Sequence, residues 1–298
     1  MRFIPQQNLR HGWQNLRSYL PKLSSHRFAI ASALLGDPDM LAWSNLGFWQ
    51  NTGDDQNSHD YQVACAQLAE QVGLAANLQP HDHVLDLGCG QGASLKYWTK
   101  QFGIQRLSAF EIQPACIAGI QAANLPELDG IYQAAFDQLP LPHDSLDHAF
   151  DAVLCVDAAY HARLTDFVAV NSAALKPQGR MAFTTLSKSK RWPLASLVNK
   201  TLTLKLLNMA YVPAQNLLHH EEMMATLQQA GFTDIRLQVL DQQVLAGFAH
   251  YINQLAPPKT LTLAAKTDWL KIKMTACLCG FLAKHGLIHY VLVSARLA

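Results

Sequence analysis

The sequence predicts an α/β fold with a mostly parallel sheet and helices on both faces. Three observations support this. Short apolar runs alternate with helical segments from Val84 onward, a glycine-rich turn closes the first of those runs, and acidic residues stand at or near the ends of three of them. Strand–turn–helix alternation of this kind builds βαβ units, whose crossovers lay helices on the sheet faces.

Taken in order, residues 1–36 read as one or two helices broken at Pro21. Phe3, Leu9, Trp13, Leu16 and Leu20 alternate there with Arg2, Arg10, Arg17 and Lys22. Such a basic amphipathic start is expected to pack on the domain, with peripheral membrane contact as the alternative. Residues 37–60 are rich in Gly, Asp, Asn and Ser and read as loop, so residues 1–57 are expected to form a helical extension and a lid. The main domain is expected over 58–298. Its first helix runs from about Ser58 to Ala76, with Ser58 or Asp60 as cap. Strands follow at Val84–Leu87, Arg106–Phe110, Ile131–Ala134, Ala152–Val156, Met181–Leu186, Ile235–Leu240 and His289–Arg296, which makes a seven-stranded sheet. Helices are expected at Ala93–Phe102, Pro114–Ala123, Phe167–Leu175 (ending in a turn at Lys176-Pro177-Gln178-Gly179) and Glu221–Ala230. Two long stretches, about 187–220 and 243–285, are expected to cap the sheet.

Composition narrows the function classes. Half of the 298 residues are hydrophobic and 15% are charged, against about 25% charged in a typical soluble domain. Some apolar surface should therefore line a pocket or an interface. A net charge of +1 gives no overall field toward nucleic acid. The six cysteines are scattered, mostly in apolar runs, and read as reduced thiols of a cytoplasmic protein. Cys277 and Cys279 are too close together for usual zinc spacing, and the loop with His143, Asp144, Asp147 and His148 fits no metal pattern. No metal is expected. The N-terminus lacks a signal-peptide pattern, and no uninterrupted apolar run approaches the roughly 18 residues of a membrane span.

The central signal is Val84-Leu85-Asp86-Leu87-Gly88-Cys89-Gly90-Gln91-Gly92. Glycines between a strand and a helix let a ligand approach the backbone. Gly88, Gly90 and Ala93 formally satisfy a dinucleotide fingerprint, with Glu111 about 20 residues on. Charge separates the two cofactors. A pyrophosphate beside Asp86 would set like charges about 4 Å apart, at a cost of roughly 4 kcal/mol at intermediate dielectric. S-adenosylmethionine (SAM) presents a sulfonium and an ammonium, which suit a carboxylate. Glu111, at the end of the second strand, can accept both hydroxyls of an adenosine ribose.

These residues resemble class I SAM-dependent methyltransferases. Val84–Gly92 matches their first motif, Glu111 their ribose acid, Ala149-Phe150-Asp151-Ala152-Val153-Leu154 the start of their fourth strand, and Leu175-Lys176-Pro177-Gln178-Gly179-Arg180 their LKPGGR turn, with Gln178 in place of a glycine. The resemblance implies a Rossmann-like fold. Asn45-Leu46-Gly47-Phe48-Trp49, Asp157-Ala158-Ala159-Tyr160-His161 and the ending Tyr290–Arg296 are similar to the small-molecule branch, which includes sterol, tocopherol and macrolide-type methyltransferases. That branch usually has Asp-Ala before its Leu-Pro, where this chain has Ala135-Phe136, so adenine contact falls to the Phe136 backbone or Asp137.

On this resemblance, Asp86, Gly88, Cys89, Gly90, Glu111, Ile112, Phe136, Asp137, Cys155, Phe48 and Trp49 are expected to hold SAM. Tyr160 and Asp157 are expected at the substrate. His161 follows the carboxyl end of the fourth strand and titrates near neutral pH, so it is the candidate base, with substrate steering or helix capping as its alternative. The first cap stretch interleaves Leu194, Leu197, Val198, Leu202, Leu204, Leu206, Leu207 and Met209 with Lys188, Lys190, Arg191, Lys200 and Lys205. It reads either as a greasy basic lid that admits a lipophilic or anionic substrate, with a membrane surface as one source, or as ordinary helix packing with a solvated charged face. The expected activity is methyl transfer to oxygen or carbon of a small lipophilic metabolite. The alternatives are a nucleic-acid or protein methyltransferase of the same fold and an NAD-dependent oxidoreductase. The first would often show an Asn-Pro-Pro-Tyr-like motif where Val156-Asp157-Ala158-Ala159-Tyr160 stands.

Overall fold

The computed structural model describes residues 30–50, 60–257 and 262–298. The expected helices before residue 30 and the Ser58 cap lie outside the described residues. The strands are β1 (His83–Leu87), β2 (Arg106–Glu111), β3 (Leu128–Gln133), β4 (Phe150–Cys155), β5 (Leu175–Lys188), β6 (Leu218–His219), β7 (Phe232–Val239) and β8 (Ile288–Leu297). The α-helices are α1 (Tyr61–Ala75), α2 (Ala93–Phe102), α3 (Pro114–Ala123), α4 (Leu164–Ala174), α5 (Leu197–Met209), α6 (His220–Gln229), α7 (Gly247–Gln254) and α8 (Leu263–His285).

The sheet runs β3-β2-β1-β4-β5-β8-β7, with β6 paired to the end of β5. It therefore has eight strands where seven were expected. The extra one is a two-residue pairing of Leu218 and His219 with Ser187 and Lys188, too short to show a period in sequence. The first five strands of the path are parallel, and β8 runs antiparallel to both of its neighbours. β5 is also longer than expected, because Leu175 already pairs with Phe150 before the register shifts. At that irregularity Gln178 takes φ +64, the left-handed backbone that favours the glycine of the related motif.

β1 is buried on both faces, as parallel strands under two helical layers are. Val84 joins the core shared with α1, α2, α7 and α8. Leu85 and Leu87 join the core shared with α4 and α6. The side-chain period of two then puts Asp86 on the Val84 face, toward α2. The chain leaves β1 for β2 on one side and later places β4 on the other, so the order reverses at β1. Crevices at such reversal points, outside the carboxyl ends of the strands, hold ligands in open α/β sheets.

The first cap stretch is α5 with flanking turns. The second is a π-type turn at Gln242–Ala246 followed by α7 and α8. Phe248 and Tyr251 are buried there, whereas Trp269 and Phe281 are half-buried. No helix among the described residues is long and apolar enough to cross a membrane.

Candidate active site

Two cavities open over the carboxyl ends of β1, β2 and β4. The first, about 340 Å³, is walled by Gly88, Gly90, Glu111, Ile112, Phe136, Asp137 and Asp157, among others. The second, about 270 Å³, lies between the sheet and the cap. Leu206, Leu207, Met209, Leu278, Leu282 and Tyr290 line it. Ser44, Asp157, His161 and Tyr211 line both, so the two chambers share a wall of four residues.

The glycine turn is shaped for close approach. Gly88 and Gly90 have φ +73 and +58, and a Cβ on Gly90 would lie 2.8 Å from Ser44 Oγ. A Cβ on Gly88 would meet the Phe136 ring and Ala158 at 3.1 Å. The Glu111 carboxylate is fixed from below. Gly90 N–H donates to Oε2 at 2.9 Å, while Ile112 N–H and Gln113 N–H donate to Oε1 at 3.0 and 2.8 Å. Only one of these bonds uses Oε2, and a carboxylate oxygen has two acceptor sites. The acid is thus pre-oriented, with one acceptor site left on Oε2 for a hydroxyl. Together with the Cβ-free cradle, this donor set fits the ribose and the methionine part of SAM.

Asp86 is buried at the end of β1 and accepts from the Trp98 indole N–H at 2.8 Å. Burial raises its carboxyl from 3.8 to about 6, against the lowering effect of Trp98 and Ser94. Among the described residues it lines a side slot of about 30 Å³, bounded also by Ser44, Gly88, Cys89 and Val156, and neither of the two larger chambers. That is room for about one water.

Asp157 is different. It follows β4 with φ +57, a strained backbone for a residue with a side chain. Its own N–H donates to Thr184 Oγ1 at 2.7 Å, which holds the turn on β5. Its carboxylate accepts from Leu46 N–H (2.8 Å), Tyr290 O–H (2.9 Å) and Tyr160 O–H (3.1 Å). All three donors are neutral. Burial raises this carboxyl too, from 3.8 to about 6, and the bonds from Tyr290, Leu46 and Tyr160 only partly counter it.

His161 ends the short turn Ala159–His161. Its Nδ1 lies 3.0 Å from the Tyr211 carbonyl. That contact assigns the proton to Nδ1 and the lone pair to Nε2. Burial lowers its pKa from 6.5, so the ring is neutral at physiological pH.

The structure therefore gathers Gly88, Gly90, Glu111, Ile112, Phe136, Asp137, Asp157 and His161 around the first chamber, with Tyr160 in the second. Cys89 and Asp86 face the side slot. Three of the expected residues lie off every chamber wall. Cys155 points into the sheet core. Phe48 and Trp49 are buried against the second helical layer, with Trp49 stacked on Tyr251 at 4.3 Å. The reason is the shape of the lid. Asn45 Oδ1 accepts from Gly47 N–H, Tyr61 O–H donates to the Asn45 carbonyl, and Trp49 Nε1–H donates to the Leu46 carbonyl. These bonds fold the segment so that Ser44, Asn45 and Leu46 meet the chambers, while the aromatics anchor it. Sequence reasoning missed Thr184, Tyr211 and Tyr290. Tyr290 carried one usable signal, a phenol directly before the buried aliphatic run Val291-Leu292-Val293.

Comparison with known proteins agrees with this geometry. Residues 48–274 match the mycolic acid cyclopropane synthetase family. Erythromycin 3''-O-methyltransferase of Saccharopolyspora erythraea is 25% identical over 250 residues, covering 81% of this chain and 78% of that protein. Geranyl diphosphate C-methyltransferase from Streptomyces coelicolor A3(2) superposes with a TM-score of 0.69 at 14% identity, over 99% of this chain and 100% of the other. The cyclopropane synthase MmaA2 from Mycobacterium tuberculosis gives 0.69 at 18% identity, over 92% and 97%. Neither the nucleic-acid nor the oxidoreductase alternative finds support among these matches. The chain belongs to the mycolic acid cyclopropane synthetase family and is a SAM-dependent methyltransferase of the small-molecule kind.

Proposed function

We propose that this enzyme methylates an oxygen or carbon of a lipophilic acceptor held in the cap-side chamber, with His161 removing the acceptor proton. One observation carries the reading. An apolar chamber and a nucleotide-shaped chamber meet at Asp157 and His161. SAM, when bound, supplies an electrophilic methyl on a sulfonium. Glu111 would hold the ribose, and the Gly88–Gly90 turn would hold the methionine part. Asp157 presents negative charge from neutral donors only, so a cation in the first chamber is its natural counter-charge. His161 borders both chambers, with its Nδ1 on the Tyr211 carbonyl.

Holding the two reactants in line lowers much of the barrier, and a positioned base adds about 10²–10⁴-fold. His161→Ala should therefore keep SAM affinity by calorimetry while turnover falls by roughly 10²–10⁴-fold. The acceptor for that assay comes from incubating cell lipid extracts with methyl-labelled SAM and identifying the species that gains label. Unchanged turnover in the variant removes His161 from the chemistry. Label found only in water-soluble species removes the lipophilic acceptor.

A further inference from the structure

The charge of this chain is unevenly divided. Segments 187–220 and 262–285 carry nine Lys and Arg and one acid, while the remainder carries 14 Lys and Arg and 21 acids. A chain of net charge +1 thus has a strongly basic cap on an acidic body. Segment 187–220 contains no Asp or Glu at all.

The same surface exposes large aliphatic side chains. Leu194, Leu197 and Val198, at the start of α5, are 88%, 79% and 75% exposed. Leu263, Leu270 and Met274 on α8 are 75%, 59% and 46% exposed. All six belong to the two basic cap segments. Met209, Tyr211 and Met274, all exposed, also line the cap-side chamber. Exposed apolar side chains of the cap thus also stand at the mouth of that chamber. Lys190, Arg191, Lys205, Lys266 and Lys271 stand exposed among these residues.

We propose that the cap docks on an anionic lipid bilayer, with the ends of α5 and α8 inserted at the headgroup boundary and the basic side chains at the phosphates. This rests on the lipophilic-acceptor reading above and adds where that acceptor enters. Two terms act together. Exposed aliphatics give insertion, and each Lys or Arg near an anionic surface adds attraction. Charge alone would equally fit an acidic protein. The aliphatic set, with no acid in 187–220 to pair across an interface, favours lipid. A docked cap would let an acceptor pass from the bilayer into the chamber without crossing water.

The test is flotation of the full chain with vesicles, without SAM or acceptor, so that it reads docking apart from catalysis. Vesicles of phosphatidylglycerol and phosphatidylcholine are compared with phosphatidylcholine alone. Binding is expected only to the first and should fall steeply between low and high salt. The variant Lys190→Ala/Arg191→Ala/Lys205→Ala should bind on the order of a hundredfold more weakly, at about fivefold per charge. Leu194→Ser/Leu197→Ser/Val198→Ser should bind at least roughly tenfold more weakly, with SAM affinity unchanged in both variants as the check on folding. None of these six residues lines either chamber. Equal flotation of both variants and the parent would overturn the proposal, because binding would then belong elsewhere on the chain. No flotation on anionic vesicles would overturn it too, as would light scattering that shows a dimer lost in the serine variant.

Discussion

An aspartate stands near the end of β1 and another just beyond β4, the first buried and the second half-buried, and their surroundings differ. Asp86 and Asp157 are both raised by burial to about 6. Asp86 is committed to an indole N–H and lines a slot the size of one water. Asp157 stands in the wall shared by both chambers and is held by the lid, by β8 and by its own turn. The difference shows that a carboxylate at a strand end takes its role from the face it points to. The period of two sends Asp86 under α2, whereas Asp157, on a left-handed backbone, lines both chambers.

The largest break in this comparison should come from Asp157→Asn. The amide keeps the size but removes the charge, and hydrogen bonds or pairing to a charged group are worth about 1.5–3 kcal/mol. SAM affinity should fall by roughly ten- to a hundredfold in calorimetric titration. The same variant sharpens the electrostatics of the SAM-free protein. The folded pKa of Asp157 lies above its unfolded value, so the folded state holds its proton more tightly. The corresponding stability is present at low pH and is lost as pH rises through about 6. The gap in melting temperature between the Asp157→Asn variant and the parent should therefore widen from about pH 5 to pH 7, in favour of the variant. A constant gap would mean that the carboxyl is not raised.

A smaller effect is expected from Tyr290→Phe. It removes one of the two phenols that donate to Asp157 Oδ1. Losing a donor to the charged form pushes the carboxyl further up. The acid limb of SAM binding should shift upward by about half to one pH unit, while affinity well above that limb changes little. A uniform loss at every pH would indicate a packing defect instead. The smallest effect belongs to Asp86→Asn, since Oδ1 of the amide can still accept from Trp98. SAM affinity should change by no more than about threefold, as expected for a group that acts through one water. A loss as large as that of Asp157→Asn would erase the distinction between the two strand ends.

Much of the fold was legible in the sequence because its strands are buried on both faces and its turns are written in Gly, Pro and Asp. α2 and α3 fall on the expected residues. β6 was invisible because two residues have no period. The long start of β5 was hidden because Lys176-Pro177-Gln178-Gly179 reads as a turn, and only tertiary pairing with Phe150 makes it strand. At the site, the glycine turn, Glu111 and His161 were readable as local chemistry. The partners that give Asp157 its setting were not. Thr184 and Tyr290 reach it across 27 and 133 residues of sequence, and no local pattern encodes such a meeting. Phe48 and Trp49 were conspicuous for the opposite reason. Aromatics in a short polar loop draw the eye, and here they are its anchors.

One of those anchors also ties the segment to the second cap stretch. Trp49 lies so close to Gly247 that a methyl there would sit 2.5 Å from its Cβ, and its backbone N–H donates to the Gln243 carbonyl at 2.9 Å. The segment whose Ser44 lines both chambers and whose Leu46 lines the cap-side one is thereby tied to the turn that carries Leu245 into the cap-side chamber. A bare α-carbon acts as the spacer of that joint, so the two compartments are gauged against each other by a residue that touches neither.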